Sequence, residues 1–268
     1  MSIDFHSEGN KDTYAGRTAQ ADWARAIGGM LDPVGKRVID VGCGGGIYTR
    51  AWADLGAAHV TGVDFSQVMV DAATAESAGR ANIGFQLGSA DHTGLPAQSA
   101  DVVFERALIH HLDDYQACFA EATRLLAPGG MLLVQDRTLD DVRLPGSAEH
   151  IRGYFFECFP RLTAFESGRR PSDAQVRQAL EAAGFARIET RTLWETRKTH
   201  DRFETLALDL RARTGRSILH ELNDAELDEL VAFIANRIPA SDAIVEKDRW
   251  TVWSANKAVR RPSGGPAA

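Results

Sequence analysis

From Arg37 to Asp136, short β-branched and apolar runs alternate with stretches whose apolar positions recur every three or four residues. That alternation predicts βαβ units, and so a parallel sheet covered by helices on both faces. Strands are expected at Arg37 to Val41, Ala58 to Val63, Ile83 to Leu87, Asp101 to Glu105 and Met131 to Asp136. Asp113 stands where it can cap a helix whose Phe119, Ala122, Leu125 and Leu126 share one face, and Pro128-Gly129-Gly130 is expected to end it. Further on, Ser172 and Gln175 form a capping box ahead of Val176, Ala179, Leu180 and Ala183, with Gly184 as the stop. A sixth strand is predicted from Ala186 to Leu193 and a seventh from Arg249 to Asn256.

Two segments exceed what such a sheet needs: residues 137–171, rich in Arg and aromatics, and residues 195–247, which separate the last two strands by far more than a hairpin turn. Both are expected to be helical caps. In the second, Phe203, Leu206, Ala207 and Leu210 form one apolar stripe, and Asn223 with Glu226 caps a helix bearing Leu227, Leu230, Val231, Ile234 and Ile238. The expected organisation is therefore an N-terminal helix with the first half of the core (1–136), a cap insertion (137–171), a core helix and strand six (172–194), a helical insertion (195–247), then strand seven and a loose tail (248–268). The fold class is α/β, a seven-stranded mostly parallel sheet flanked by helices and carrying helical cap insertions.

Charge narrows the partners. Thirty Lys and Arg against 37 Asp and Glu leave a net charge of -7 over 268 residues, which would repel a phosphate backbone and disfavours nucleic acid. Cys43, Cys118 and Cys158 are far apart and show no metal-ligand or disulfide spacing. Neither an apolar leader in Met1 to Tyr14 nor any run of about 18 apolar residues is present, so a cytoplasmic, non-membrane protein is expected.

The strongest chemical signal is Val38-Ile39-Asp40-Val41-Gly42-Cys43-Gly44-Gly45-Gly46, a strand entering a glycine-rich turn and then a helix. Such a turn lets backbone approach a ligand where a Cβ would collide, and the helix start behind it favours a negative group. Asp64, 22 positions after Gly42 at the end of the next strand, is placed to accept both hydroxyl protons of a ribose. Dinucleotides and S-adenosylmethionine both use this layout. A dinucleotide fingerprint beginning at Gly42 would need a third glycine at position 47, which is Ile47.

Asp40-Val-Gly42-Cys-Gly44-Gly-Gly46, Asp64 after Thr61-Gly62-Val63, Ser89-Ala90-Asp91, Ala107-Leu108-Ile109-His110-His111-Leu112 and Leu126-Ala127-Pro128-Gly129-Gly130 together resemble the class I S-adenosylmethionine-dependent methyltransferases of small-molecule type. The resemblance implies a Rossmann-like core and S-adenosyl-L-methionine as cofactor, with S-adenosyl-L-homocysteine as product. It also implies roles: Asp40, Gly42, Gly44 and Gly46 for the methionine part, Asp64 for the ribose and Phe65 for one face of the adenine. Ala90 and Asp91 would meet the adenine edge, Arg106 would lie beside the methionine tail, and Tyr14 and Arg17 would reach the cofactor's carboxylate. The two cap segments carry no such resemblance.

Methyl transfer to a hydroxyl or protonated amine needs a proton acceptor, for which His110-His111, just past strand four, is placed; His111 is the preferred base, with His110 packed away. His150 and His220 are weaker candidates. Tyr154, Phe155, Phe156, Phe159 and Phe165 either wall an aromatic acceptor or form the cap's own core, and Arg143, Arg152, Arg161, Arg169 and Arg170 suit an acidic small molecule or a solvated face. The turn after Arg216 is a further segment that could reach the site. No metal is expected, although Asp136, Asp140 and Asp141 follow strand five. The competing readings are a nicotinamide-dependent oxidoreductase, an RNA methyltransferase and a cofactor-binding module without turnover.

Overall fold

The computed structural model describes residue 19 and residues 21–239 and 243–258. Seven strands form one sheet in the order β3-β2-β1-β4-β5-β7-β6, comprising β1 (Arg37–Val41), β2 (His59–Asp64), β3 (Ile83–Leu87), β4 (Ala100–Arg106), β5 (Leu126–Asp136), β6 (Phe185–His200) and β7 (Ile244–Lys257). The first five run parallel, and β7 lies antiparallel between β5 and β6. Parallel strands buried on both faces read as continuous apolar runs, and β1 shows why. Its Val38 enters one core with Trp23, Trp52, Phe104 and Trp250, whereas Ile39 and Val41 enter the other with Phe119, Leu125, Leu180 and Trp253.

Flanking helices supply those partners. They are α1 (Ala21–Gly28), α2 (Ile47–Asp54), α3 (Gln67–Glu76), α4 (Tyr115–Leu125) and α8 (Asp173–Ala182). The Ser172–Gln175 and Asn223–Glu226 capping boxes both form as expected. At α4 the cap is Asp114, not Asp113: its carboxylate accepts from the backbone N–H of Gln116 and Ala117 at 2.9 and 3.1 Å. The same helix stops at Leu125, and Leu126 through Gly130 already belong to β5, with a bulge where β5 meets Ala100 and Val102 of β4. Pro-Gly-Gly therefore sits in an irregular strand entry that follows the helix end.

The last two strands outrun their predicted limits. β6 and β7 remain paired as far as His200 opposite Ile244, well past Asp136, where β5 leaves the sheet beside Thr251. The excess is a two-stranded ribbon carrying the second insertion. That insertion contributes α9 (Phe203–Arg211), a helical turn (Ser217–Glu221) and α10 (Asp224–Ala235); the first contributes α5 (Leu139–Val142), α6 (Gly153–Cys158) and α7 (Arg161–Ser167). The two insertions share one apolar core, in which Ile151, Phe155 and Leu162 meet Leu206, Leu210, Leu227 and Leu230. Each such side chain, fully buried, contributes roughly 1.5–3 kcal/mol, so the caps pack as a unit.

At the carboxyl edge, Val41 stands opposite both Val63 of β2 and Glu105 of β4. The residues that follow, Gly42, Asp64 and Arg106, therefore emerge side by side. Strand order reverses between β1 and β4, and open α/β sheets bind ligands in the crevice at that point.

Candidate active site

A cavity of about 770 Å³ opens at this reversal point. Its floor is the β1–α2 turn, where the backbone N–H groups of Gly42 and Cys43 both donate to the Val63 carbonyl, at 2.8 and 3.0 Å. Gly44 has φ +51°, in the left-handed region, and its N–H donates to Asp64 Oδ2 at 2.8 Å. The other Asp64 oxygen accepts from the Ser66 N–H at 2.9 Å, so the carboxylate is fixed by backbone on both sides. Asp40 lies beneath, accepting from the Thr49 hydroxyl at 2.6 Å, and burial pushes its carboxyl up to about 7. Cys43 also lines the cavity, but burial raises its thiol well above its ordinary value, which removes it as a nucleophile.

Asp40, Gly42, Gly44, Asp64, Phe65, Ala90, Asp91 and Arg106 all line this one cavity. Phe65 is 52% exposed there, which rules out a core role. Asp91 accepts from the Ser89 hydroxyl at 2.5 Å, a bond that holds its carboxyl below the usual range. Arg106 is sandwiched between the rings of Tyr48 and Trp250, 4.1 and 4.3 Å from their centroids, and pairs with Glu195 at 2.9 Å. Tyr48 donates its hydroxyl to the same Glu195, and Gln135 donates to it at 2.9 Å. The guanidinium is thus immobilised, and among the described residues its buried Nε has no hydrogen-bond partner.

Residues 39–134 match the family described as a methyltransferase domain. That stretch is therefore similar to a methyltransferase domain over its β1–β5 part. An ubiquinone biosynthesis O-methyltransferase of Coxiella burnetii is 37% identical over 99 residues, covering 37% of this chain and 42% of that protein. The chain thus spans about two-fifths of the length of such curated relatives. The O-methyltransferase cnsE of Penicillium expansum aligns further, 27% identical over 212 residues, covering 75% of this chain and 73% of that protein. Among solved structures, phosphoethanolamine N-methyltransferase 2 of Haemonchus contortus, in complex with phosphomonomethylethanolamine and S-adenosylhomocysteine, superposes with a TM-score of 0.62 at 20% identity, over 96% of this chain and 61% of that one. That likeness carries the fold. A second structure of that Haemonchus contortus enzyme is in complex with S-adenosyl-L-methionine.

Several expected roles change within the methyltransferase domain. Gly46 does not line the cavity: it precedes α2 at φ +76°, and a Cβ there would stand 2.9 Å from Phe85 Cζ and 3.1 Å from Ala73 Cβ. It lets α2 close onto β3 and α3, a packing role. His110 is not a catalytic group either. It is buried, with Nδ1 2.8 Å from Asp136 Oδ2, and faces away from the cavity. Burial outweighs the pull of Asp136 and pushes its imidazole down to about 3, so the neutral ring donates its Nδ1 proton to the carboxylate.

His111 does line the cavity, its ring 3.9 Å from that of His110. The cavity laps its surface, yet protein surrounds it closely enough that burial pushes it down to about 4, with Arg169 and Arg170 acting in the same direction against Asp136. His150 bonds the Pro145 carbonyl at 3.0 Å, and neither it nor His220 borders the cavity. Tyr14 and Arg17 lie outside the described residues.

The caps contribute less than their composition suggests. Tyr154, Phe155, Phe156 and Phe159 are buried in the cap core, and only Phe165 of the five aromatics borders the cavity. Arg152 and Arg170 are consumed in buried ion pairs, Arg161 pairs with Glu226, and Arg143 is exposed elsewhere; Arg169 alone of the five lines the cavity. Asp136 and Asp141 are fully engaged, the first by His110 and Arg170 and the second by Arg249 and Thr251. Ser217 and Glu221 bring the second insertion to the site, as the position of that turn suggested. Tyr48, the second residue of α2, was open to discovery from its spacing after the glycines. Glu195 was not, because its partners lie 89 and 147 positions away.

Proposed function

We propose that this protein transfers a methyl group from S-adenosylmethionine to an oxygen of a small organic acceptor. The observation that carries the reading is the convergence of the Gly42–Gly45 turn, the fixed Asp64 carboxylate and the stacked Arg106 on one cavity of about 770 Å³. Small-molecule sites typically enclose about 300–1,000 Å³, so this one has room for a nucleoside-sized cofactor with an acceptor beside it.

The residues fit that cofactor. Asp64 would take the ribose hydroxyls, Phe65 would cover the adenine face, and Asp91 would accept from its amine. Arg106 borders the cavity, and its positive charge suits the negatively charged methionine end. When bound, the sulfonium supplies an activated methyl carbon. The protein's task is then chiefly to hold an acceptor in line and exclude water, and such positioning supplies about 7–11 kcal/mol in favourable cases.

Leu108, Leu112, Ala117 and Phe165 give the remaining wall an apolar character, which favours an aromatic or otherwise apolar acceptor body. His111, neutral at physiological pH, can accept the acceptor's proton without first having to lose one. The names of the relatives as O-methyltransferases favour oxygen as the accepting atom. The net charge of -7 argues against nucleic acid, and no helix among the described residues is long and apolar enough to cross a membrane. A cytoplasmic setting accords with three free cysteines.

Thermal melting tests the cofactor first. At about 100 times its dissociation constant, the true cofactor stabilises by about 2.7 kcal/mol and the wrong one by nothing. Stabilisation by S-adenosylmethionine, followed by methyl transfer to members of a panel of phenols and aromatic acids, is expected. Stabilisation by NAD alone would reverse the reading, and tight S-adenosylmethionine binding without any turnover would favour a non-catalytic module.

A further inference from the structure

Behind the cavity wall runs a chain of alternating charges that the cofactor reading does not use. It begins at His110, whose Nδ1 lies 2.8 Å from Asp136, and continues to Arg170, which donates to Asp136 at 2.6 Å and to Glu166 at 2.5 Å. Glu166 then pairs with Arg169. Asp136 and Glu166 are completely buried and Arg170 nearly so. Arg169 closes the chain, and of its ionic members it is the one that borders the cavity.

Two carboxylates and two arginines balance, with the positive end facing the space beside His111. Arg169 is set for service there. Among the described residues its guanidinium donates only to Glu166, its Nε has no acceptor, and it stacks on Phe165 with 4.8 Å from guanidinium carbon to ring centroid. A cation held from behind by a buried carboxylate cannot turn away, and its remaining N–H groups need an acceptor that an apolar wall of Leu108, Leu112 and Phe165 does not supply.

Resting on the methyl-transfer reading, we infer that Arg169 anchors a carboxylate carried by the acceptor molecule, whose ring-sized apolar body lies against Phe165. A carboxylate suits the site better than a phenolate, because it is ionised throughout the neutral range whereas a phenol of pKa about 10 is not. The guanidinium also draws charge from the oxygen it holds, so this group is an anchor, distinct from the oxygen that accepts the methyl. Asp113, Asp114 and Glu221 border the same cavity. These acidic groups make a cationic ligand the outcome to be tested against.

The test uses the full chain saturated with S-adenosylhomocysteine and measures binding of benzoate, benzamide and benzylamine by calorimetry. Benzoate should bind about ten- to a hundred-fold more tightly than benzamide, the range expected for a charge-assisted contact. Arg169→Gln should abolish that preference, Arg169→Lys should restore part of it, and both should keep the affinity for S-adenosylhomocysteine. Equal binding of benzoate and benzamide, a preference for benzylamine, no saturable benzoate binding, or a benzoate preference that survives Arg169→Gln would each overturn the assignment. Failure to bind S-adenosylhomocysteine at all would instead defeat the methyl-transfer reading beneath it.

Discussion

Replacing Glu105 by Gln should change how stability depends on pH, by an amount the structure sets. Glu105 is the penultimate residue of β4, in the sheet interior and 1% exposed, and among the described residues no nitrogen or oxygen donor reaches either carboxyl oxygen. Burial pushes its pKa from 4.5 up to about 8, with the Cys118 thiol pulling slightly the other way. At neutral pH the folded protein therefore holds a proton there that the unfolded chain releases. The contribution of Glu105 is complete below about pH 4.5, declines by roughly 1.4 kcal/mol per pH unit above it, and levels off past about pH 8.

By pH 7 the loss amounts to about 3 kcal/mol, a large fraction of a typical folding free energy of about 5–15 kcal/mol. Glu105→Gln keeps the shape but cannot ionise. Its buried amide adds a penalty of its own, about 1–3 kcal/mol and independent of pH. The difference in urea-unfolding free energy, variant minus wild type, should thus rise steadily from pH 5 to pH 8 whatever its absolute sign. Taking the difference cancels every other titrating group. A flat difference across that range would show that Glu105 ionises freely in the folded state and would refute the reasoning.

Asp64→Ala removes the carboxylate that holds Gly44 and that the proposed reading assigns to the ribose, and should weaken S-adenosylhomocysteine binding by at least ten-fold, at about 1.5–3 kcal/mol per charge-assisted bond, as read by calorimetry. With His111 pushed down to about 4, the pH profile of turnover should show no inflection near 6.5 attributable to that residue, and His111→Ala should lower kcat while leaving cofactor affinity unchanged; an inflection near 6.5 that disappears in His111→Ala would contradict the assigned protonation state. Gly46→Ala introduces a Cβ 2.9 Å from Phe85 at φ +76°, and should cost about 1–3 kcal/mol in chemical denaturation; an unchanged midpoint would return Gly46 to the cofactor.

The sheet was legible because its strands are short, apolar and parallel, and the capping boxes at Ser172 and Asn223 because their chemistry is local. The convergence of Asp40, Gly42, Gly44 and Asp64 on one cavity was legible for the same reason: adjacent strands, whose order the βαβ pattern dictates, bring them together. Where the reading failed, the deciding partner was distant in sequence. His110 is claimed by Asp136, 26 positions on, and Gly46 is required by the Phe85 ring. The arginines of the first insertion were indistinguishable until their carboxylates were placed, since Arg170 is buried between Asp136 and Glu166 while its neighbour Arg169 borders the cavity. The overlong β6 and β7 escaped notice because a ribbon paired on one side only needs no continuous apolar run, and the buried positions of β6 past Leu193 are Glu195, Arg197 and His200, which read as polar.

That ribbon makes the second insertion a replaceable cassette. Because His200 and Ile244 are directly paired, the chain departs for the excursion and re-enters the stem at points separated by about 5 Å, the spacing of any antiparallel couple. A different excursion spliced across that junction would meet the same ladder of backbone bonds and leave the glycine turn untouched. Exchange of this one loop is thus a route by which the cavity's cap-side wall changes while the glycine-turn side stays intact.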